Sequence, residues 1–173
     1  MRIDTHSHMI PAKFVQGEDV HFPLDGTSET HVRPLHLVFN YEDDTLYNVE
    51  RRLRDMDAQG LDIHVISLQP MFTYALPVER AIPICRSINN AFAEVVAGHP
   101  DRFIALADVP LQSPEDAARE LERAVRDLGL KGAEITSQVN RKNLDDPSMF
   151  PFFAKAQELD VPIFIHQTLP ASG

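Results

Sequence analysis

Two histidines near the start of the chain have the spacing of metal ligands. His6 and His8 stand two residues apart in the segment Ile3-Asp4-Thr5-His6-Ser7-His8, and the alternation of a β-strand would point both imidazoles to the same side. Two nitrogen donors on one rigid face suit a divalent transition metal. For an isolated pair, two histidines with ordinary hydrogen bonds at a wet strand end would be the more common interpretation.

A third histidine follows a separate apolar segment. His166 ends the run Pro162-Ile163-Phe164-Ile165, which predicts a buried strand. Proteins of the α/β class place functional groups at the carboxyl ends of parallel strands. Taken alone, His166 fits a core or capping role as well as a ligand role. Three histidines at the same end of two strands favour a divalent-metal site, with zinc expected, held by His6, His8 and His166.

The elements that must position these histidines alternate regularly after residue 44. Apolar runs predict five strands, at 2–8, 62–68, 103–109, 132–135 and 161–166, with four amphipathic helices between them. Ser113 is the predicted cap of the third helix, and Gly129 is predicted to close it. Such alternation indicates a parallel sheet covered by helices. Residues 9–44 do not follow the pattern and are interpreted as an inserted loop lobe.

Composition narrows the class of protein. A chain of 173 residues with 43% hydrophobic and 24% charged residues fits one folded domain. The net charge of −10 argues against electrostatic binding to nucleic acid or to an anionic membrane. The apolar runs are too short to span a bilayer, and no signal peptide is recognised. The single cysteine, Cys85, is interpreted as a core residue, and it favours the reducing cytoplasm.

The chain resembles the amidohydrolase-2 family in five ordered motifs: IDTHSH, RDMDAQGLDIHVIS, HPDRFIALADVPLQ, LGLKGAEITSQVNRKNLDDP and PIFIH. Within that family it is most similar to the aminocarboxymuconate-semialdehyde decarboxylase type. The resemblance implies a (β/α)8 TIM barrel with one zinc-like metal. The implied ligands are His6, His8, His166 and an aspartate of the eighth strand, and a catalytic histidine is implied after the sixth strand.

Both of these last positions would lie beyond Gly173. The chain is therefore interpreted as the N-terminal part of such a domain, with about the first five strands and four helices. It is expected to be truncated, paired with a separate second half, or inactive by itself. The substrate stays open, because Gln167-Thr168-Leu169 stands where the decarboxylases continue Pro-Trp-Asp. Residues 40–45, where a substrate-binding arginine is expected, are acidic, and Arg33 is the nearest weak candidate.

Several other polar residues have competing interpretations. Asp4 shares the side-chain direction of the histidine pair, and either orients a ligand from outside the site or forms a structural salt bridge. Glu134 stands where some two-metal relatives place a bridging carboxylate, but a plain barrel residue is the favoured interpretation. His64 lies at the wrong end of its strand for the metal and is expected to be structural. The remaining histidines of the loop lobe are interpreted as surface residues: His21, His31 and His36.

The leading functional hypothesis is a metal-dependent decarboxylase of a small unsaturated or aromatic-derived carboxylic acid. The metal would polarise a substrate oxygen and lower the pKa of a bound water. Alternatives are a hydrolase of a small cyclic ester or amide, a TatD-type two-metal phosphoesterase and a non-catalytic half-barrel. The expected partners are the small carboxylate and either a second copy of the chain or a complementary C-terminal half.

Overall fold

A computed structural model describes residues 1–12, 21–23, 32–34, 44–68, 71–74 and 76–167. The strands in chain order are β1 (Ile3–His8), β2 (His21–Pro23), β3 (Val32–Pro34), β4 (Ile63–Ser67), β5 (Phe103–Ala105), β6 (Ala133–Thr136), β7 (Gln138–Val139), β8 (Lys142–Asn143) and β9 (Ile163–His166). The helices are α1 (Val49–Gln59), α2 (Met71–Tyr74), α3 (Val78–Gly98), α4 (Pro114–Arg126) and α5 (Phe150–Leu159), with short 3-10 turns at Asp44–Leu46 and Pro147–Met149.

In the described part of the chain, five parallel strands lie side by side in the order of the sequence. β1, β4 and β5 form one sheet, and β6 pairs with β9. A parallel bridge between Ala107 and Ala133 joins the two groups, and the Glu134 amide donates to the Ala107 carbonyl at 3.1 Å. The chain is therefore an α/β protein with parallel strands, as the alternation of helices and strands predicts. The predicted third strand is shorter than expected, because β5 ends at Ala105 and the chain then keeps only the Leu106 amide's hydrogen bond to the Ile66 carbonyl and the bridge at Ala107.

The helix ends follow local chemistry. α1 begins at Asn48, whose side chain accepts from the Arg51 amide at 3.0 Å, and it ends at Gly60, where φ is +66°. Ser113 stands at the predicted cap position of α4, but its hydroxyl donates to the Asp116 carboxylate at 2.6 Å instead of accepting from a backbone amide. Among the described residues no helix is both long and apolar enough to cross a membrane.

The core lies between the parallel strands and their covering helices. Met56, Phe92, Leu121 and Phe152, one from each of the four longer helices, are fully buried in it. Cys85 is buried too, as the interpretation of a core residue requires.

Two details lie outside the predicted pattern. Met9 and Ile10, assigned above to the inserted lobe, are buried in the core, so the chain leaves the core later than predicted. Farther along the lobe, the described strands β2 and β3 form an antiparallel pair. The second antiparallel pair, β7 and β8, was also not predicted, and Asn140 and Arg141 form its turn with φ of 48° and 68°.

Gly132 allows β6 and β9 to approach each other. Its φ is +153°, and a Cβ at this position would stand 2.2 Å from the Pro162 carbonyl oxygen. No side chain fits there without displacing the backbone. The spacing of the pair that carries His166 therefore depends on this glycine.

Candidate metal centre

Three imidazoles meet at the carboxyl ends of β1 and β9. The Nε2 atom of His8 lies 3.1 Å from that of His6 and 3.3 Å from that of His166. The ring centroids of His6 and His166 are 5.0 Å apart. The structure thus brings together the three histidines that the sequence singled out, although 158 positions separate His8 from His166.

The separations of the nitrogens suit a common ion. Nitrogen ligands bound at about 2.0–2.1 Å in a tetrahedral site stand about 3.3 Å apart, close to the 3.1 and 3.3 Å found here. Burial, followed by the charges of His6 and His166, lowers the pKa of His8 to about 4. His8 is therefore a neutral imidazole near pH 7, which is the form that binds a metal.

A buried carboxylate stands beside the imidazoles. Glu134 in β6 is only 1% exposed, and its Oε2 accepts from the Ser67 hydroxyl at 2.6 Å. Its Oε1 is buried and has no hydrogen-bond partner among the described residues. One ligand atom from each of His6, His8, His166 and Glu134 lies within 4.8 Å of all the others.

Glu134, for which a plain barrel residue is the favoured interpretation, lies beside the three imidazoles. Burial raises the pKa of its carboxyl, and the hydrogen bond from Ser67 opposes that effect. The signal in the sequence is an acidic residue between Ala133 and Ile135, in a strand whose residues are all buried. An acid is rarely placed there without a partner.

Arg52 of α1 holds the backbone of β1 in place. Its guanidinium donates from Nη1 to the Ser7 hydroxyl, and from Nη2 to the carbonyls of His8 at 2.7 Å and Thr45 at 3.0 Å. The Ser7 hydroxyl also lies 3.2 Å from Nδ1 of His64. The main chain beside His8 is therefore fixed from a neighbouring helix, and His64 belongs to this structural network, as predicted.

Asp4 contacts the backbone of a candidate ligand and not its ring. Its Oδ1 accepts from the His6 amide at 3.1 Å, and its Oδ2 lies 3.9 Å from Nε2 of His64. The register between β1 and β4 shifts between Asp4 and Ser7. The hydrogen bond from the His6 amide to Asp4 therefore lies in the irregular part of the strand that carries the histidine pair.

A second buried acid lies near Glu134. Asp108 follows β5, and its Oδ1 accepts from the Thr73 hydroxyl at 3.4 Å. Burial, with Glu134 and Glu120 adding to it, raises the pKa of Asp108 to about 7, although hydrogen bonds from Cys85 and Thr73 oppose the rise.

Some predicted candidates cannot be placed in the site. Arg33 and His21 lie in β3 and β2, but their side chains fall outside the described part of the chain. The segments that contain His31, His36 and Thr168-Leu169 also lie outside the described residues.

Comparisons with known proteins give the family. The Amidohydrolase family model, Amidohydro_2, matches residues 3–172. The chain is 33% identical over 174 residues to 2-amino-3-carboxymuconate-6-semialdehyde decarboxylase of Dictyostelium discoideum. This alignment covers 96% of this chain and 48% of the relative. It is 38% identical over 128 residues to gamma-resorcylate decarboxylase of Rhizobium sp. (strain MTP-10005), which covers 70% of this chain and 39% of the relative.

A solved structure agrees in fold. The crystal structure of dihydroxybenzoic acid decarboxylase from Polaromonas sp. JS666, with bound manganese and the inhibitor 2-nitroresorcinol, matches with a TM-score of 0.76 and 31% identity. The match covers 98% of this chain and 50% of that one. The chain spans about half the length of such relatives, or less. It belongs to the Amidohydrolase (Amidohydro_2) family.

Proposed function

We propose that this chain carries the metal-binding part of a decarboxylase that acts on a small, aromatic-derived carboxylic acid. The observation that carries the proposal is the convergence of His6, His8 and His166 at one end of the parallel strands. The family relatives described above are decarboxylases of such acids, which supports the reaction class. The cytoplasm remains the proposed compartment, because Cys85 is a free and buried thiol.

The three imidazoles would hold one divalent ion. Such an ion would polarise an oxygen of the substrate and place positive charge beside the carboxylate that leaves. The chain's own residues prepare that site. His8 is neutral because it is buried, and the Arg52 guanidinium holds the backbone carbonyl of His8 by a hydrogen bond. Three imidazoles suit zinc, whereas the Polaromonas relative contains manganese, so the protein is to be loaded with each of the two ions.

We further propose that the five parallel strands are the first five of a (β/α)8 barrel. β1 and β9 end the strand order, and each has an exposed apolar side chain, Ile3 at 40% and Ile165 at 54%. Further strands would cover these side chains and would supply the aspartate and histidine that the family resemblance implies. They would come from a longer polypeptide, a complementary chain or a second copy of this one. Sedimentation of the purified protein would distinguish a monomer from these assemblies.

Metal content tests the site, and carbon dioxide release tests whether the chain decarboxylates without further strands. The purified protein is stripped with a chelator, reloaded with Zn²⁺ or Mn²⁺, and assayed on 2,6-dihydroxybenzoate and aminocarboxymuconate semialdehyde. We expect one ion per chain, and we expect His166→Ala to lose that ion. His99→Ala is the matched control, because His99 lies in the turn after α3 and outside the site.

Two results would contradict the proposal. Equal metal binding by wild type and His166→Ala would remove His166 from the site. Two ions per chain would favour the two-metal phosphoesterase class instead. Within the part of the chain that the structure describes, one group of side chains that could hold a metal ion is found, which supports a single metal centre.

A further inference from the structure

We infer that Glu134 is a fourth ligand of the proposed metal centre, binding through Oε1, and that Ser67 holds the carboxylate in the orientation this requires. The inference rests on the proposed function, since it concerns the same ion. It adds an oxygen donor from β6 to the three nitrogen donors of β1 and β9. The described residues would then supply four protein ligands, in addition to the aspartate that the family resemblance implies from a further strand.

The hydrogen bonding of Glu134 distinguishes its two oxygens. Oε2 is engaged by the Ser67 hydroxyl at 2.6 Å. Oε1 is buried and has no hydrogen-bond partner within the described part of the chain. Ser67 is itself fully buried, and it pairs in register with His8 across β1 and β4. The serine that orients the carboxylate is therefore fixed beside a candidate ligand, which is the usual arrangement around a protein-bound metal.

The surroundings of the carboxylate also favour a cation. A buried carboxylate oxygen that lacks a donor destabilises the fold. The groups that counter the effect of burial on Glu134 are the Ser67 hydroxyl and the imidazoles of His166 and His6. Neither lysine nor arginine is among them. A divalent ion within reach of Oε1 and the three imidazoles would satisfy that oxygen and balance its charge.

The donor set has a consequence for the choice of metal. Carboxylate oxygen is a harder ligand than imidazole, and manganese prefers oxygen donors more strongly than zinc does. Losing the Glu134 carboxylate should therefore weaken Mn²⁺ binding more than Zn²⁺ binding. Loss of the Ser67 hydroxyl should weaken both, because it loosens the ligand without removing it.

The experiment compares metal binding by wild type, Glu134→Gln, Ser67→Ala and Glu120→Gln. Dissociation constants for Mn²⁺ and Zn²⁺ come from chelator competition, and the ligand set is followed by the absorption spectrum of the Co²⁺-loaded protein. Glu120→Gln is the matched control, because Glu120 is a buried acid that pairs with Asn89 and Arg123 away from the imidazoles.

We expect Glu134→Gln to weaken Mn²⁺ binding by more than the roughly 10–100-fold that is typical for loss of an outer partner, and to change the Co²⁺ spectrum. Ser67→Ala should weaken binding within that range and keep the wild-type spectrum. Glu120→Gln should match wild type in both. Circular dichroism establishes that each variant is folded.

The outcomes separate this inference from the proposed function. If wild type and Glu134→Gln share affinities and Co²⁺ spectrum, Glu134 is not a ligand, while the three-histidine centre stands. If wild type binds no ion, both ideas fail. Should Glu134→Gln not fold, Glu134→Asp replaces it. This variant keeps the charge but cannot reach Ser67 and the ion together, so unchanged Mn²⁺ affinity in it would also overturn the inference.

Discussion

Asp108 should make the stability of the fold depend on pH between about 4 and 7. Its carboxyl is buried, with 1% of the side chain exposed, and its Oδ2 has no hydrogen-bond partner among the described residues. Burial raises the pKa of Asp108 from 3.8 to about 7. Asp108→Asn replaces the carboxyl by a neutral group of the same shape, which imitates the protonated acid at every pH.

The size and sign of the effect follow from the two pKa values. The folded chain keeps the Asp108 proton up to about pH 7, whereas the unfolded chain loses it near 3.8. The folded state therefore binds more protons in this window, so stability falls as pH rises through it and levels off above about 7. A shift of about three units at 1.36 kcal/mol per unit amounts to about 4 kcal/mol. The asparagine variant has no such loss.

Urea unfolding of both proteins, in chelator to remove any metal, measures the effect at pH 4, 5.5, 7 and 8. The free energies of unfolding should nearly coincide at pH 4, and the variant should be more stable by up to about 4 kcal/mol at pH 8. Asp101→Asn, at an exposed turn position, is the control and should follow the wild-type curve. A difference between Asp108→Asn and wild type that stays constant with pH would refute the reasoning.

Three further substitutions test other parts of the structure. Arg52→Met removes the hydrogen bonds that hold β1 and should weaken metal binding about 10–100-fold in chelator competition. The control is Arg51→Met, which loses only surface ion pairs and should bind the metal as tightly as wild type. Gly132→Ala places a Cβ 2.2 Å from the Pro162 carbonyl oxygen and should destabilise the fold by at least about 1–3 kcal/mol in urea unfolding; an unchanged midpoint would show that the strands can separate. Arg141→Gly relieves a positive φ of 68° and should stabilise the fold by about 1 kcal/mol in thermal unfolding; an unchanged midpoint would contradict this expectation.

The sequence predicts the architecture well where local patterns and tertiary packing agree. Gly60 ends α1 as predicted, because only a residue that tolerates positive φ can stand there. The pair His6/His8 is found together with His166, because strands that run parallel end at the same side of a sheet. Both inferences depend on periodicity and strand direction, which a single sequence contains.

The misses arise where a contact between distant residues decides the structure. Met9 and Ile10 look like the start of a loop, yet they pack into the core because their amides bond to the carbonyls of Ser67 and Leu46. Ser113 is a residue type that commonly caps a helix, but its hydroxyl bonds to the Asp116 carboxylate instead of to a backbone amide. Such choices between partners cannot be read from spacing.

Glu134 illustrates the same limit at the site. An acid in the middle of a buried strand indicates that a partner is required, but it does not identify that partner. The answer depends on Ser67, which comes from another strand 67 positions away. Only the packed sheet shows which of the two carboxylate oxygens is left free.

The placement of the histidines on the first and last of the five parallel strands has a consequence for biosynthesis. His8 and His166 are 158 positions apart, so the ribosome must have released nearly the whole described chain before the site can assemble. Contacts of such long sequence separation form late in folding, because the entropy of closing the intervening loop opposes them. An ion bound at the site would act as a reversible crosslink between the two strands. At a thousandfold excess over its dissociation constant it would stabilise the closed arrangement by about 4 kcal/mol. Amide hydrogen exchange in β9 should therefore slow on metal addition more than exchange in β4, which has partners on both of its edges.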